Sequence, residues 1–459
     1  MTSKFDEIRP YDNADLPQVL KNLVDNEEFI RTLVAFRFAK WPPFSKPIFG
    51  FFIKQYVSKK IKSITSLRDF QVMVEPYMKR MLTKTTKGLT VTGLDTLDLS
   101  TPYLFVSNHR DIALDPAFVN WVLHINGQDT VRIAVGDNLL SKGWVADILR
   151  LNKCFVVQRS VEGRREKLAA AKLLSEYIEC SLKNDNQHLW IAQREGRAKD
   201  GIDVTNPAIV SMLSLNKPKD IDFCDYIANL SIVPVSISYE FDPCDVSKAK
   251  ELCQAEKVGG YDKPDNEDMQ SIVNGITGQK GRVNVHFGKL VGNQFSNAKE
   301  VSAFIDKEIL SGYQTFSTSS VALSLLHGDQ QNKQIKTAPS NEESVKHYVE
   351  SQLAELSKES QLAELSKESQ LAELSKESQL AELSKESQLA ELSKESQLAE
   401  LSKESQLAEL SKESQLAKLY TEYQQAKRYI ESRLTMLNSE EQQKLLEMYA
   451  NPLIRQQQQ

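Results

Sequence analysis

Six short runs rich in Val, Ile and Leu, separated by longer stretches of helix-forming residues, constrain this chain more than any other feature. They are Tyr103–Ser107, Val131–Val135, Cys154–Val157, Leu189–Ala192, Ile232–Ile237 and Val283–Phe287. Each is bounded by polar turn residues, as strands are. The segments between them are long enough for helical crossovers. The clearest, Val161–Leu182, contains EKLAAAKLLSEYIECSL, in which strong helix formers predominate. Strands alternating with helices predict an α/β fold with a mainly parallel sheet flanked by helices, spanning roughly residues 89–310.

The 459 residues, 41% of them hydrophobic, suffice for a sizeable core and more than one domain. The net charge of -5 is unevenly spread, about +3 over residues 1–340 and -8 over 341–459. A mildly basic body with an acidic tail gives no sign of a nucleic-acid partner. The five cysteines, Cys154, Cys180, Cys224, Cys244 and Cys253, include no CxxC pair, so neither a disulfide framework nor a zinc site is expected. MTSKFDEIRPYDNADLP places acids and a proline where a signal peptide needs an apolar stretch, and no uncharged apolar run of membrane-spanning length occurs. The expected location is the cytoplasm, peripheral to the inner face of the membrane.

Several segments flank the α/β region. Phe29–Thr65 carries eight basic side chains, no acidic ones and many aromatics, among them Trp41, Phe44, Phe49, Phe51 and Phe52. Helical pieces broken at Pro42-Pro43 and Pro47 would suit an anionic membrane surface, or a helical pair packed on the next domain. From Ser351 the nonapeptide SQLAELSKE repeats seven times to Glu413, followed by the decayed copy SQLAKLYTE. Its composition favours helix, but nine residues advance about 900°, two and a half turns, so successive leucines face opposite ways. No coiled-coil seam results. The expected division is a helical, basic-aromatic, membrane-facing segment over 1–84, the α/β domain over 85–312, a linker over 313–350, a long helical repeat tail over 351–422 and an amphipathic helix over 423–459.

Two strand ends carry the chemistry. In Phe105-Val-Ser-Asn-His-Arg-Asp-Ile-Ala-Leu-Asp-Pro116 a strand runs into His109, with Asp111 and Asp115 two and six residues on. A carboxylate on one ring nitrogen would leave the other to accept a proton, the arrangement of a general base; either acid could serve. In Leu189-Trp-Ile-Ala-Gln-Arg-Glu-Gly-Arg-Ala-Lys199 a second strand delivers Arg194, Glu195, Gly196, Arg197 and Lys199. Cations this close call for an anion among them, and glycine lets a ligand approach the backbone; phosphate is the natural candidate.

Together these boxes resemble those of the glycerolipid acyltransferase family, which acylates glycerol 3-phosphate and 1-acylglycerol 3-phosphate. Lys153-Cys-Phe-Val-Val-Gln-Arg159 is similar to the family's second box and Ile232-Val-Pro-Val235 to its fourth. The resemblance covers roughly residues 85–310 and departs in two places. The family's usual spacing would put the acid at 114, where Leu114 stands between Asp111 and Asp115, and Arg197 follows Gly196 without the usual intervening residue. It implies an O-acyltransferase in phospholipid biosynthesis, with acyl-CoA or acyl carrier protein presenting the acyl thioester and a lysophospholipid as acceptor. His109 would be the base, oriented by Asp115 or Asp111, and Arg159, Glu195, Gly196, Arg197, Arg194 and Lys199 would surround the acceptor's phosphate. No metal or other cofactor is implied. Divergence leaves room for another lyso-lipid or glycerol 3-phosphate as acceptor, or for an inactive membrane-associated scaffold.

Overall fold

The six apolar runs each form a strand, and a seventh joins them at the edge. In the computed structural model, which describes residues 4–37, 46–140, 142–261, 264, 267–332 and 417–458, these are β1 (Thr86–Thr92), β2 (Leu104–Ser107), β3 (Arg132–Gly136), β4 (Cys154–Val157), β5 (Leu189–Ala192), β6 (Ile232–Tyr239) and β7 (Gly281–Phe287). They make one sheet in the order β1-β7-β6-β2-β5-β3-β4. The five strands from β6 to β4 are parallel, as expected. β7 is antiparallel to β6 and carries β1 parallel to itself, so the sheet is mixed. Strand composition carries no direction; the path of the connecting chain, here the helices Asp245–Val258 and Glu267–Thr277, decides it. Strand β1 was not among the six runs because an edge strand buries little: its threonines alternate with Leu89 and Val91.

Successive side chains of a strand face opposite ways, and the core divides accordingly. Leu104 and Val106 pack with Leu174, Ile178 and Val301 on one face. Phe105, Trp190 and Val233 pack with Phe118 and Val122 of the helix Leu114–Ile125 on the other. Helix Arg164–Lys183 crosses from β4 to β5 and begins three residues later than its sequence pattern suggested, behind Gly163.

The flanking segments depart from expectation. The start of the 1–84 segment packs on the sheet: the Val156 amide donates to Ile8 O at 2.9 Å, and Phe5 and Ile8 enter the core beside β4. Leu16, Val19, Leu20 and Leu23 bury against Ile64, Phe70 and Leu151. Apolar residues at helical spacing covered the sheet edge here because it offered a complementary apolar surface. Pro47 lies within the helix Lys46–Ile61 and does not break it. Trp41, Pro42, Pro43 and Phe44 lie outside the described residues, as do repeats 351–413. The expected linker contains a helix, Ser317–Asn332.

The described chain forms two compact units, Met1–Thr315 with Ile454–Gln459, and Phe316–Leu453. Toward the C-terminus the expected single helix is two, over 417–434 and Ser439–Gln457. Asn438 divides them: its side chain accepts from the Glu440 and Glu441 amides at 3.1 Å, capping the second helix. Among the described residues no helix is long and apolar enough to cross a membrane.

Candidate active site

Because β2, β5, β3 and β4 are consecutive in the sheet and parallel, their C-terminal ends stand in a row. Ligands gather at this edge in open α/β sheets. Asn108, at the end of β2, is fully buried and clamped to β6, accepting from Ile237 N at 2.8 Å and donating to Ile237 O at 3.1 Å. His109 therefore leaves the sheet from an immobilised position. Its Nδ1 lies 2.9 Å from Asp115 Oδ2. A carboxylate accepts, so Nδ1 carries the hydrogen and Nε2 keeps its lone pair.

The two acids have different surroundings. Asp115 is wholly buried and also accepts from the Arg110 and Asp111 amides, at 2.6 and 2.9 Å, and from the Tyr239 hydroxyl at 2.6 Å. Asp111 folds onto the start of the helix Leu114–Ile125, accepting from Ala113 N at 3.0 Å and Leu114 N at 2.9 Å. Burial, with the like charge of Asp115 beside it, pushes its carboxyl up to about 6. Of the two, Asp115 contacts the imidazole and Asp111 caps the helix.

Strand β5 turns at Gly196, whose φ of 72° is left-handed, and so presents Arg197 inward. That guanidinium is 8% exposed, and its hydrogen bond is a long one of 3.4 Å to Ser271 Oγ. Among the described residues no carboxylate oxygen lies within 4.0 Å of it. Arg197 lines one cavity of about 140 Å³ together with His109, Arg159, Trp190, Arg194, Gly196 and Lys199. Arg159 reaches it across Gly136: a Cβ there would stand 3.1 Å from the Arg159 Nε. The Asp137 carboxylate fixes the backbone at this corner, accepting from Arg159 N and Ser160 N at 3.1 and 2.9 Å. Glu195 does not line the cavity; it is exposed and pairs with Arg159 at 3.4 Å. Lys199 pairs with Glu251. A hydrogen-bonded imidazole and a buried, unpaired guanidinium in one cavity can accept a proton from a hydroxyl whose neighbouring anion is held.

The acyltransferase family model matches residues 88–238, a span that contains His109, Asp115, Arg159 and Arg197. This is an acyltransferase domain. Among solved structures the chain is similar to the 1-acyl-sn-glycerophosphate acyltransferase PlsC from Thermotoga maritima, at 16% identity over 65% of this chain and 92% of that one, with a TM-score of 0.29. No curated protein matches.

Beneath the cavity the acyltransferase domain buries charges that sequence reading did not single out. Arg110 pairs with Asp203 at 2.6 Å, donates to Gly201 O at 3.2 Å and lies over the Tyr313 ring. Lys248 donates to Arg110 O at 2.7 Å and pairs with Asp242. The Trp190 ring meets His109 edge-on, centroids 5.7 Å apart. Trp190 and Tyr239 stand on strands with apolar neighbours, where their residue types signal core; Arg110 and Trp190 lie inside the two boxes. Among the described residues no cluster of three His, Cys, Asp or Glu is arranged for a metal ion.

Proposed function

We propose that the domain moves a fatty acyl group from an acyl thioester, on coenzyme A or on acyl carrier protein, to the hydroxyl of a lysophospholipid such as 1-acylglycerol 3-phosphate. One observation carries the reading: His109, held by Asp115, and the guanidinium of Arg197, which has no carboxylate oxygen within 4.0 Å among the described residues, line the same cavity. His109 Nε2 takes the hydroxyl proton as the oxygen attacks the thioester carbonyl, and Asp115 stabilises the imidazolium. The tetrahedral intermediate collapses with cleavage of the C–S bond, and the departing sulfur receives the proton from His109. Arg197, with Arg159, Arg194 and Lys199 around it, binds the acceptor's phosphate and holds the hydroxyl near the base, so the reaction gains from proximity.

The acceptor is a membrane lipid, and this reading extends to the surface. Phe51, Phe52 and Tyr56 of the helix Lys46–Ile61 are 64, 62 and 55% exposed, among lysines 54, 59 and 60. Aromatic rings among cations suit anionic headgroups. The decisive experiment is transfer from a labelled acyl thioester to lysophosphatidic acid by wild type and His109→Ala. Activity that falls by orders of magnitude to a measurable residue in the variant is expected; full activity in His109→Ala would refute the general base. Sedimentation with anionic vesicles tests the membrane reading, and binding indifferent to salt would refute it.

A further inference from the structure

The four donors to Asp115 are unevenly divided between its oxygens. Three converge on Oδ2: His109 Nδ1 and the amides of Arg110 and Asp111. All three come from within six residues of Asp115 itself. Oδ1 has one partner, the Tyr239 hydroxyl at 2.6 Å, and it arrives from the end of β6, 124 residues away in sequence. Tyr239 stands in the sheet opposite Val283, its ring centroid 5.8 Å from that of Phe118. The three bonds to Oδ2 restrain the Cβ–Cγ torsion from the His109 side only; a donor to Oδ1 from a separate element stiffens it from the other. Each donor also draws negative charge from the group that must stabilise the imidazolium.

We propose that Tyr239 is a positioning residue of acyl transfer, locking the plane of the Asp115 carboxylate and setting the negative charge that His109 meets when protonated. The inference rests on the roles proposed above for His109 and Asp115. Packing alone calls for no hydroxyl here: phenylalanine has nearly the same volume, and a buried O–H adds a desolvation cost unless it has a partner. Burial, followed by the negative charges of Asp115 and Asp111, keeps the phenol protonated far above its usual range, so it remains a donor at every working pH. The other charged groups around it are Asp242, paired with Lys248; Arg110, paired with Asp203; and Lys280, bonded to Thr85 Oγ1 and Gly278 O. Asp111, near 6, titrates in the same range as an imidazole and is controlled for by Asp111→Asn.

The test compares wild type, Tyr239→Phe, His109→Ala and the double variant in the full chain, with palmitoyl thioester and lysophosphatidic acid. Tyr239→Phe is expected to lower kcat by about tenfold or more with KM little changed, the size of effect that misplacing a catalytic group produces. Losing the donor leaves more charge on Asp115, so the imidazolium is favoured and the acid limb of kcat/KM moves up by about half a pH unit, in the wild-type and Asp111→Asn backgrounds alike. In His109→Ala the same substitution is expected to cost nothing further. Should Tyr239→Phe misfold, 3,5-difluorotyrosine at 239 provides the reverse perturbation: a stronger donor of similar shape, moving the acid limb down. Unchanged kcat and pH profile in Tyr239→Phe would overturn the proposal, as would an equal proportional loss with and without His109. Full activity in His109→Ala would refute the general-base reading itself, a result visible without any Tyr239 variant.

Discussion

Replacing Arg197 and Arg110 separately by Met distinguishes a cation kept for a ligand from a cation kept for the fold. Both side chains are buried, 8% and 5% exposed. Arg110 has a carboxylate at 2.6 Å, and removing it strands Asp203 in the interior. Breaking such a pair costs about 3–5 kcal/mol, roughly 6–10 °C in Tm at about 2 °C per kcal/mol for a domain of this size. Arg197 has a single 3.4 Å hydrogen bond to a hydroxyl, so its desolvation is poorly compensated in the free protein. Arg197→Met should leave Tm unchanged or raise it. Its loss should appear with the acceptor: a guanidinium forked onto phosphate makes charge-assisted hydrogen bonds, and removing it forfeits about 2–4 kcal/mol, roughly 30- to 800-fold in kcat/KM. Most of this belongs in KM for lysophosphatidic acid, since ground state and transition state share the phosphate. Thermal unfolding by circular dichroism and acyl transfer over an acceptor series measure both quantities. Arg197→Met that unfolds as early as Arg110→Met, with acceptor KM unchanged, would refute the assignment. So would equal losses on acceptors with and without phosphate.

Asp115→Asn should lower kcat by about 10³-fold or more in the transfer assay, because an amide neither enforces the Nδ1–H tautomer nor stabilises the imidazolium. Asp111→Asn should keep most of the activity, since its carboxamide oxygen can still accept from the amides of Ala113 and Leu114. It should also stabilise at neutral pH. The folded Asp111 carboxyl is raised to about 6 from an ordinary 3.8, so its favourable contribution is complete below about pH 4 and is lost as pH rises through 6. Wild type and Asp111→Asn should therefore melt alike near pH 4, and the variant should lead by on the order of 2–3 kcal/mol at pH 7.5. A gap that does not widen with pH between these limits would contradict this origin. Ile8→Ala, at a 2% exposed position, should cost about 2–4 kcal/mol in denaturant unfolding, whereas Phe51→Ala, 64% exposed, should leave stability unchanged and weaken sedimentation with anionic vesicles.

What the sequence determined by itself was local. Six strands were legible because each is a continuous apolar run, and strand formation responds to the residues of the run and the turns beside it. His109, Arg159 and Arg197 were legible because polar groups immediately after such runs must emerge at a strand end. Tertiary structure decided whatever depends on distant segments meeting. Nothing in Gly281–Phe287 encodes its antiparallel pairing with Ile232–Tyr239, and nothing in Thr86–Thr92 distinguishes an edge strand from a polar loop. The first residues carry no local sign of burial because only the folded sheet presents the surface that buries Phe5 and Ile8. Asp115, followed by Pro116, was only narrowly favoured over Asp111 by sequence, and the two separate clearly where the start of the helix turns one onto its amides and the other onto the imidazole. Arg197 is left with a single long hydrogen bond only because folding buried it beside Ser271, and Tyr239 met Asp115 only because β6 lies beside β2. The energy of a charge depends on its surroundings, and those are assembled by parts of the chain too far apart for any local pattern to connect.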